Sequence, residues 1–137
     1  MADCIDMKKI FELFKKDRFA VENGMELVAV EPGSAEARME ISGRHLNGYG
    51  SVMGGALFTL ADYAFAAASN AKGSATVSSS AAISYFHPPK GNFIVAKAAE
   101  ISGGHRLCTY NVDLFDGEGT LVARYTCNGY ITSKKSV

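Results

Sequence analysis

The 137-residue chain has no excess of charge of either sign and no apolar run long enough for a membrane span. Fourteen Lys and Arg residues balance fourteen Asp and Glu residues, which argues against a nucleic-acid-binding protein, since such proteins usually carry a basic stripe. The longest apolar run, residues 54–69, is interrupted by Thr59 and Asp62 and is shorter than a typical membrane-spanning helix. The first nineteen residues lack the apolar centre of a signal peptide. We therefore expect a cytoplasmic protein with no nucleic-acid partner and no membrane partner.

Cysteine is scarce, and its placement argues against a metal or disulfide framework. Cys4, Cys108 and Cys127 lie far apart, no CxxC pair occurs, and no histidine lies at metal-ligand spacing. We interpret the cysteines as three reduced thiols that are buried or half-buried. A nucleophilic cysteine has no support beyond the presence of three histidines elsewhere. The sequence thus predicts no metal site.

Length and patterning predict one domain over residues 1–137, in which 47% of the residues are hydrophobic. Within residues 1–20, apolar side chains at helical spacing over residues 7–19 predict an amphipathic surface helix with Asp6 as its N-cap. Alternating runs bounded by turn sequences predict strands over residues 25–30, 35–41, 76–86, 93–101, 106–115 and 120–132.

The most informative stretch is residues 54–70, GGALFTLADYAFAAASN. It predicts one long helix that is apolar on nearly every side and is therefore buried. A carboxylate in its middle, Asp62, loses hydration there, so it is either structurally paired or functional. Gly54 and Gly55 favour a functional Asp62, because they leave bare N–H groups at the positive end of the helix, where negative charge can be held.

The order of the elements predicts an α+β fold in which an antiparallel sheet of five to six strands wraps around one long central helix. A single sheet covers only one side of such a helix. We therefore expect a second copy of the chain to cover the remaining apolar surface.

The loop before the long helix carries a family motif. It reads HLNGYGSVMGG from residue 45, and LAD follows at residues 60–62. This resembles the hot-dog-fold acyl-CoA thioesterases of the phenylacetate-pathway (PaaI-like) branch, whose pattern is HxNxxGxxHGG followed by Leu-(Ala/Val)-Asp. The resemblance extends over about residues 22–132. It implies hydrolysis of a CoA thioester, with an aryl-acyl group such as phenylacetyl or hydroxyphenylacetyl, and no cofactor beyond the CoA of the substrate.

The resemblance also implies catalytic roles for four residues. The N–H of Gly54, with that of its neighbour, would hold the oxyanion, and glycine would let the substrate approach the backbone closely. Asp62 would be the general base for water or a nucleophile, and both routes stay open. Asn47 would orient the water or fix the loop, and Ser78 would contact the water or the acid. The structural alternatives are tight packing at the glycines, a capping or Arg-paired Asp62, a turn-forming Asn47 and a serine without a role.

Four residues are candidates for substrate binding: Gly55, His45, Met53 and Arg106. Met53 stands where the family has histidine and can donate no hydrogen bond, so positioning or substrate preference is expected to differ. His45 opens the motif and either supports the loop or is a solvent-facing or structural histidine. Arg106 is a candidate for the CoA phosphates, with rivals in Lys90, Lys97 and Arg124.

The spacing of the motif bears on the assembly. Gly54 and Asp62 are separated by about 12 Å along a helix, so one thioester carbonyl cannot touch both in a single chain. Two antiparallel copies of the helix could bring Asp62 of one beside the N-terminus of the other. We therefore expect a homodimer with shared active sites, as the family also implies. A homotetramer is implied by the resemblance alone.

Two other functions remain open. A non-catalytic acyl-CoA-binding hot-dog module is compatible with Met53 but has no need for a buried acid. A hot-dog dehydratase would have a histidine five residues after Asp62, where Ala67 stands. Phe58, Tyr63 and Phe65 could line an acyl pocket, although their helical spacing is equally that of a core.

Overall fold

A computed structural model describes residues 5–137, so Cys4 lies outside the described residues. Six strands form one antiparallel sheet in the order β1-β2-β4-β5-β6-β3, and the longest helix packs against it. The elements are α1 (Met7–Phe14), α2 (Arg18–Glu22), β1 (Met25–Glu31), β2 (Ser34–Glu40), a 3₁₀ turn (Gly43–His45), α3 (Gly54–Asn70), β3 (Ser74–Tyr85), β4 (Phe93–Gly103), β5 (Leu107–Asp116) and β6 (Leu121–Lys135).

The long helix α3 has the bounds that the sequence predicts, but one protomer does not bury it on every side. Its sheet-facing residues form the centre of the core, and Leu60, Ala61 and Ala64 are fully buried. A row of small and polar residues on another face, Gly55, Thr59, Asp62 and Ala66, retains exposure. The reason is geometric, since a single sheet covers one side of a helix only.

Strand β3 lies at one edge of the sheet and bonds only β6. Most of its side chains are exposed, and Val77 and Tyr85 each keep about half of their surface. An edge strand presents unpaired backbone N–H and C=O groups on its outer side. One protomer therefore offers an open strand edge in addition to the uncovered row on α3.

The N-terminal amphipathic helix predicted over residues 7–19 is instead two helices, α1 and α2. In a continuous helix, the carbonyl of Phe14 would accept the N–H of Arg18. Here it accepts the hydroxyl of Tyr63 on α3 at 3.0 Å and the N–H of Asp17 at 3.3 Å, and Asp17 is the N-cap of the second helix. A tight turn and a long-range contact thus coincide with the end of α1.

No helix among residues 5–137 is long and apolar enough to cross a membrane. Cys108 and Cys127 are both buried and free, as the sequence predicts for these two thiols.

Candidate active site

The loop before α3 is held by His45, which is buried in the 3₁₀ turn. Its Nδ1 accepts the N–H of Ser42 at 3.0 Å, so Nε2 carries the proton and donates to the carbonyl of Asn23 at 2.6 Å. The carbonyl of His45 accepts the N–H of Met53 at 2.7 Å. Both ring nitrogens are thus engaged within the protomer. These contacts support the loop, and the predicted substrate contact of His45 stays a prediction.

Asn47 fixes the exposed part of the same loop. Its Oδ1 accepts the N–H groups of Tyr49 at 2.9 Å and Ser51 at 3.2 Å, and its backbone N–H donates to the carbonyl of Ser51 at 2.7 Å. This is an Asx-type turn of the kind asparagine favours. The side-chain oxygen therefore serves the loop, while Nδ2 bonds no other group within residues 5–137.

The loop leads into the N-terminus of α3, where two backbone N–H groups have no acceptor among residues 5–137. Met53 is the N-cap residue, its exposed side chain makes no capping hydrogen bond, and its carbonyl accepts the N–H groups of Ala56 and Leu57. The N–H groups of Gly54 and Gly55 precede these bonds. No acceptor in the described part of the chain bonds either of them. A ligand oxygen at this helix end would meet two N–H donors and the positive end of the helix dipole.

The two glycines differ in what lies beside them. A Cβ atom at Gly54 would lie 2.9 Å from Cζ and the hydroxyl of Tyr85, whereas a Cβ at Gly55 would meet nothing within 4 Å. Tyr85 donates its hydroxyl to the carbonyl of Gly54 at 2.9 Å. The space that we expected Gly54 to keep free for a substrate is therefore filled by the Tyr85 ring, and only Gly55 is open. The sequence analysis did not find Tyr85, because it lies 31 residues away on β3.

Two open clefts flank this helix end. One, of about 450 Å³, lies on the Gly54 side and is lined by Tyr85, Phe86 and the His87-Pro88-Pro89 turn. The other, of about 340 Å³, lies on the Gly55 side, between Phe19 of α2 and the exposed side chain of Met53. The aromatic residues considered for an acyl pocket lie elsewhere: Tyr63 and Phe65 are buried in the core, and Phe58 packs on Tyr125.

Asp62 is half-buried in the middle of the uncovered row of α3. Its Oδ1 accepts the hydroxyl of Tyr125 on β6 at 2.9 Å. No cation of the described residues forms an ion pair with it, so the Arg-paired alternative is not what the structure contains. Burial, and then the Asp62 charge, raise the pKa of Tyr125, so this phenol stays a neutral donor.

A second carboxylate lies near Asp62. Asp17, between α1 and α2, has its pKa raised above the ordinary value by burial and by the negative charge of Asp62. Two acids therefore lie close together, and neither forms an ion pair within residues 5–137, which is an unfavourable setting that functional sites often contain.

Ser78 is connected to Asp62 through β6. The hydroxyl of Ser78 lies 3.4 Å from Sγ of Cys127. Cys127 lies two residues after Tyr125 on β6, so both side chains are on the face of the sheet that packs against α3. Burial raises the pKa of the Cys127 thiol; hydrogen bonds with Ser78 and Tyr125 oppose this, and Asp62 adds to it. The thiol is thus neutral, which disfavours a nucleophilic Cys127.

Arg106 lies away from these groups within the protomer. It precedes Leu107, which pairs with Tyr130, and Tyr130 pairs with Val77 near the start of β3. The contact of Gly54 is with Tyr85 at the other end of β3, about 26 Å along the strand at about 3.3 Å per residue. In one protomer, Arg106 and the free N–H groups therefore lie at opposite ends of the sheet.

The fold is that of a hot-dog protein, with an acid in the middle of the long helix α3 and two free N–H groups at its start. The thioesterase superfamily profile matches residues 49–123, more than half of the chain. The chain therefore belongs to the thioesterase superfamily, and the predicted hot-dog fold and thioester-hydrolase class are confirmed at this level. Tyr125 and Cys127 lie beyond the matched residues.

Individual relatives agree with this assignment. The chain is 31% identical over 114 residues to acyl-coenzyme A thioesterase PaaI of Escherichia coli, covering 82% of this chain and 81% of the relative. The structure of E. coli PaaI, a protein from the phenylacetic acid degradation operon, superposes with a TM-score of 0.86 at 27% identity, covering 90% of this chain and 91% of that one. A mutant of the phenylacetic acid degradation protein PaaI of Thermus thermophilus matches with a TM-score of 0.80 at 35% identity, covering 85% and 100%. The resemblance to the PaaI-like branch is confirmed.

Proposed function

We propose that this protein hydrolyses an acyl-CoA thioester to the free acid and CoA. The observation that carries the proposal is the presence, on one helix, of two kinds of group: the carboxylate of Asp62, which has no ion pair among residues 5–137, and the N–H groups of Gly54 and Gly55, which have no acceptor among those residues. These are the two requirements of ester hydrolysis: a group that accepts a proton and a site for the oxyanion. The activity named for the E. coli relative supports the choice of a CoA ester.

The proposed reaction uses water and this chain's own groups. Asp62 takes a proton from a water molecule, whose oxygen attacks the thioester carbonyl carbon. The resulting oxyanion accepts the N–H groups of Gly54 and Gly55. When the tetrahedral intermediate collapses, the C–S bond breaks and the proton held by Asp62 passes to the CoA sulfur. Direct attack by Asp62, through an anhydride that water then cleaves, uses the same two sites. In this proposal the CoA belongs to the substrate, and the steps call on no metal or redox cofactor.

We infer that each active site is shared by two protomers of a homodimer. Asp62 and Gly54 lie about 12 Å apart along one helix, too far for one carbonyl. The uncovered row of α3 and the open edge of β3 supply the surface through which a second copy could bring its helix N-terminus to Asp62. We further propose that two such dimers pair into a homotetramer. A cytoplasmic location is also part of the proposal, and the free thiols of Cys108 and Cys127 are consistent with it.

For the acyl group we propose an aryl acid such as phenylacetyl or hydroxyphenylacetyl. The supporting observations are the aromatic cleft of about 450 Å³ beside Gly54 and the phenylacetic acid context of the relatives. A panel of phenylacetyl-, hydroxyphenylacetyl-, benzoyl- and straight-chain acyl-CoAs, followed by thiol release, tests the class. Faster turnover of straight chains than of aryl substrates would contradict the aryl assignment only.

The test of the activity compares Asp62→Asn with Asp113→Asn. Asp62→Asn is expected to lower kcat by about 100-fold or more, a size usual for a positioned acid–base group. Asp113, which bonds Arg124 on the sheet at 2.7 Å, is the matched control and should leave kcat nearly unchanged. Tight acyl-CoA binding without turnover by the native protein would instead indicate the non-catalytic binding module.

The shared site has a separate test by complementation. Asp62→Asn and Gly54→Ala protomers are co-expressed with different tags, and the hybrid dimer is purified. If sites are shared, one of its two sites contains intact Asp62 and intact Gly54, so the hybrid should recover about half of the native rate. A hybrid no more active than the Gly54→Ala homodimer, or a native protein that elutes as a 14.6 kDa monomer, would contradict the shared site.

A further inference from the structure

Tyr125 is held rigidly beside the proposed acid. It is fully buried in β6, and its ring packs edge-on against Phe58 of α3, with ring centroids 5.2 Å apart and an interplanar angle of 78°. Phe58 lies one helical turn before Asp62. This aromatic contact therefore packs the helix that carries the carboxylate against the strand that carries the phenol.

The hydroxyl of Tyr125 is the only hydrogen-bond donor that reaches Asp62 from residues 5–137. Other titratable groups near Asp62 do not assist it: Asp17 comes from the α1–α2 connection with a like charge, and Cys127 of β6 is a neutral thiol. A hydrogen bond to the ionised form of a carboxylate stabilises that form. The bond at 2.9 Å also occupies Oδ1, which leaves Oδ2 as the oxygen free to react.

We propose that Tyr125 is a positioning residue for the reaction: by holding Oδ1 of Asp62, it orients the ionised carboxylate so that Oδ2 faces the thioester. The inference rests on the proposed function. Cys127, two residues along β6 from Tyr125, lies 3.4 Å from the hydroxyl of Ser78 on the edge strand. Tyr125 thus acts through Asp62 and does not itself touch the substrate.

The chain contains a matched control for this role. Tyr110 of β5 is also fully buried, packs edge-on against an α3 phenylalanine (Phe65, 5.3 Å and 77°), and donates its hydroxyl to a carboxylate, Glu100, at 3.3 Å. Glu100 has no part in the proposed reaction. Tyr125→Phe and Tyr110→Phe therefore remove the same atom from similar surroundings, and only the first should affect catalysis.

The experiment measures kcat and KM for acyl-CoA hydrolysis in both variants, in the native protein and in an Asp62→Asn background. Tyr125→Phe is expected to lower kcat about tenfold or more, which is the usual effect of one hydrogen bond to a charged group, with KM changed less than about twofold. Tyr110→Phe should leave kcat within about twofold. In the Asp62→Asn background, the effect of Tyr125→Phe should vanish, because the two residues act as one unit.

A pH profile of kcat/KM provides a second readout, because the position of its limbs on the pH axis does not depend on how large the remaining rate is. Losing the donor should move the acidic limb of the profile to higher pH in Tyr125→Phe and not in Tyr110→Phe. Equal kcat values for the two variants, an unmoved acidic limb, or a persistent loss in the Asp62→Asn background would each overturn the positioning role while leaving the thioesterase proposal intact. Absence of turnover in the native protein would overturn both.

Discussion

Two half-buried carboxylates of this protein, Asp62 on α3 and Glu100 on β4, each accept a hydrogen bond from a fully buried tyrosine, and they differ in their charged neighbours. Glu100 binds Lys72 through both oxygens at 2.8 Å as well as Tyr110, whereas Asp62 accepts from Tyr125 and forms no ion pair within residues 5–137. Both carboxylate oxygens of Glu100 are therefore already occupied by a cation and are not free to bind a substrate. Asp62 has a neutral donor and an acidic neighbour instead, a setting that functional sites often contain, and this is why we propose Asp62 and not Glu100 as the reacting acid.

The sharpest way to break this comparison is to neutralise each acid in turn. Asp62→Asn should cost catalysis about 100-fold with little effect on folding, because the amide can still accept from Tyr125. Glu100→Gln should leave kcat unchanged and lower the free energy of unfolding by about 1 kcal/mol or less, because Lys72 is partly exposed and solvent screens the pair. Steady-state kinetics and urea unfolding on the same samples check both. A kinetic loss in Glu100→Gln would show that the two acids are not separable.

The contrast between the two glycines allows a test of smaller expected effect. Gly54→Ala places a Cβ 2.9 Å from Tyr85, so the ring or the helix end must shift, and we expect kcat to fall about tenfold as the oxyanion donors move. Gly55→Ala meets no neighbour and should raise the free energy of unfolding by up to about 1 kcal/mol, because alanine favours the helix. Kinetics and urea unfolding distinguish the two variants. Full activity in Gly54→Ala would mean that Tyr85 does not set the position of the donors.

The smallest effect is expected from Asp17, the acid beside Asp62. The pKa of Asp17 in the folded protein is raised, by burial first and by Asp62 second. An acid with a raised pKa destabilises the folded state at a pH above its folded-state pKa, and this cost is absent at a pH below its unfolded-state pKa. Asp17→Asn should therefore stabilise the protein at neutral pH by about 0.5 kcal/mol or less, and the gain should disappear near about pH 3. Asp113→Asn is the control of opposite sign, since Asp113 has Arg124 as its partner. Urea unfolding at both pH values measures the difference, and a loss of stability at neutral pH in Asp17→Asn would contradict it.

Local pattern predicted much of this molecule. The strands alternate buried and less buried side chains, as β5 does along its whole length, and the bounds of α3 agree with the apolar run from Gly54 to Asn70. Prediction from local pattern fails where residues far apart in the sequence come into contact. Residues 7–19 have helical spacing throughout, yet α1 ends at Phe14, whose carbonyl accepts the hydroxyl of Tyr63 from α3.

The site divides along the same line. Asp62 could be singled out because an acid inside an apolar helix is unfavourable unless it has a use, and Gly54 and Gly55 because they begin that helix. His45 and Asn47 were found by motif, but their ring and amide contacts, which assign them to the loop, depend on Asn23, Ser42 and Ser51. Tyr85 and Tyr125 carry no local signal beyond being aromatic residues in strands.

The sequence by itself determined the order of the elements, the α+β class, the place of the acid and the two bare donors, because these follow from periodicity and residue type over a few turns of chain. Only the tertiary structure decided which side chains meet Asp62 and Gly54, because Tyr125 and Tyr85 reach them across 63 and 31 residues. Such contacts depend on how the sheet closes over one face of α3, and no local pattern specifies that packing.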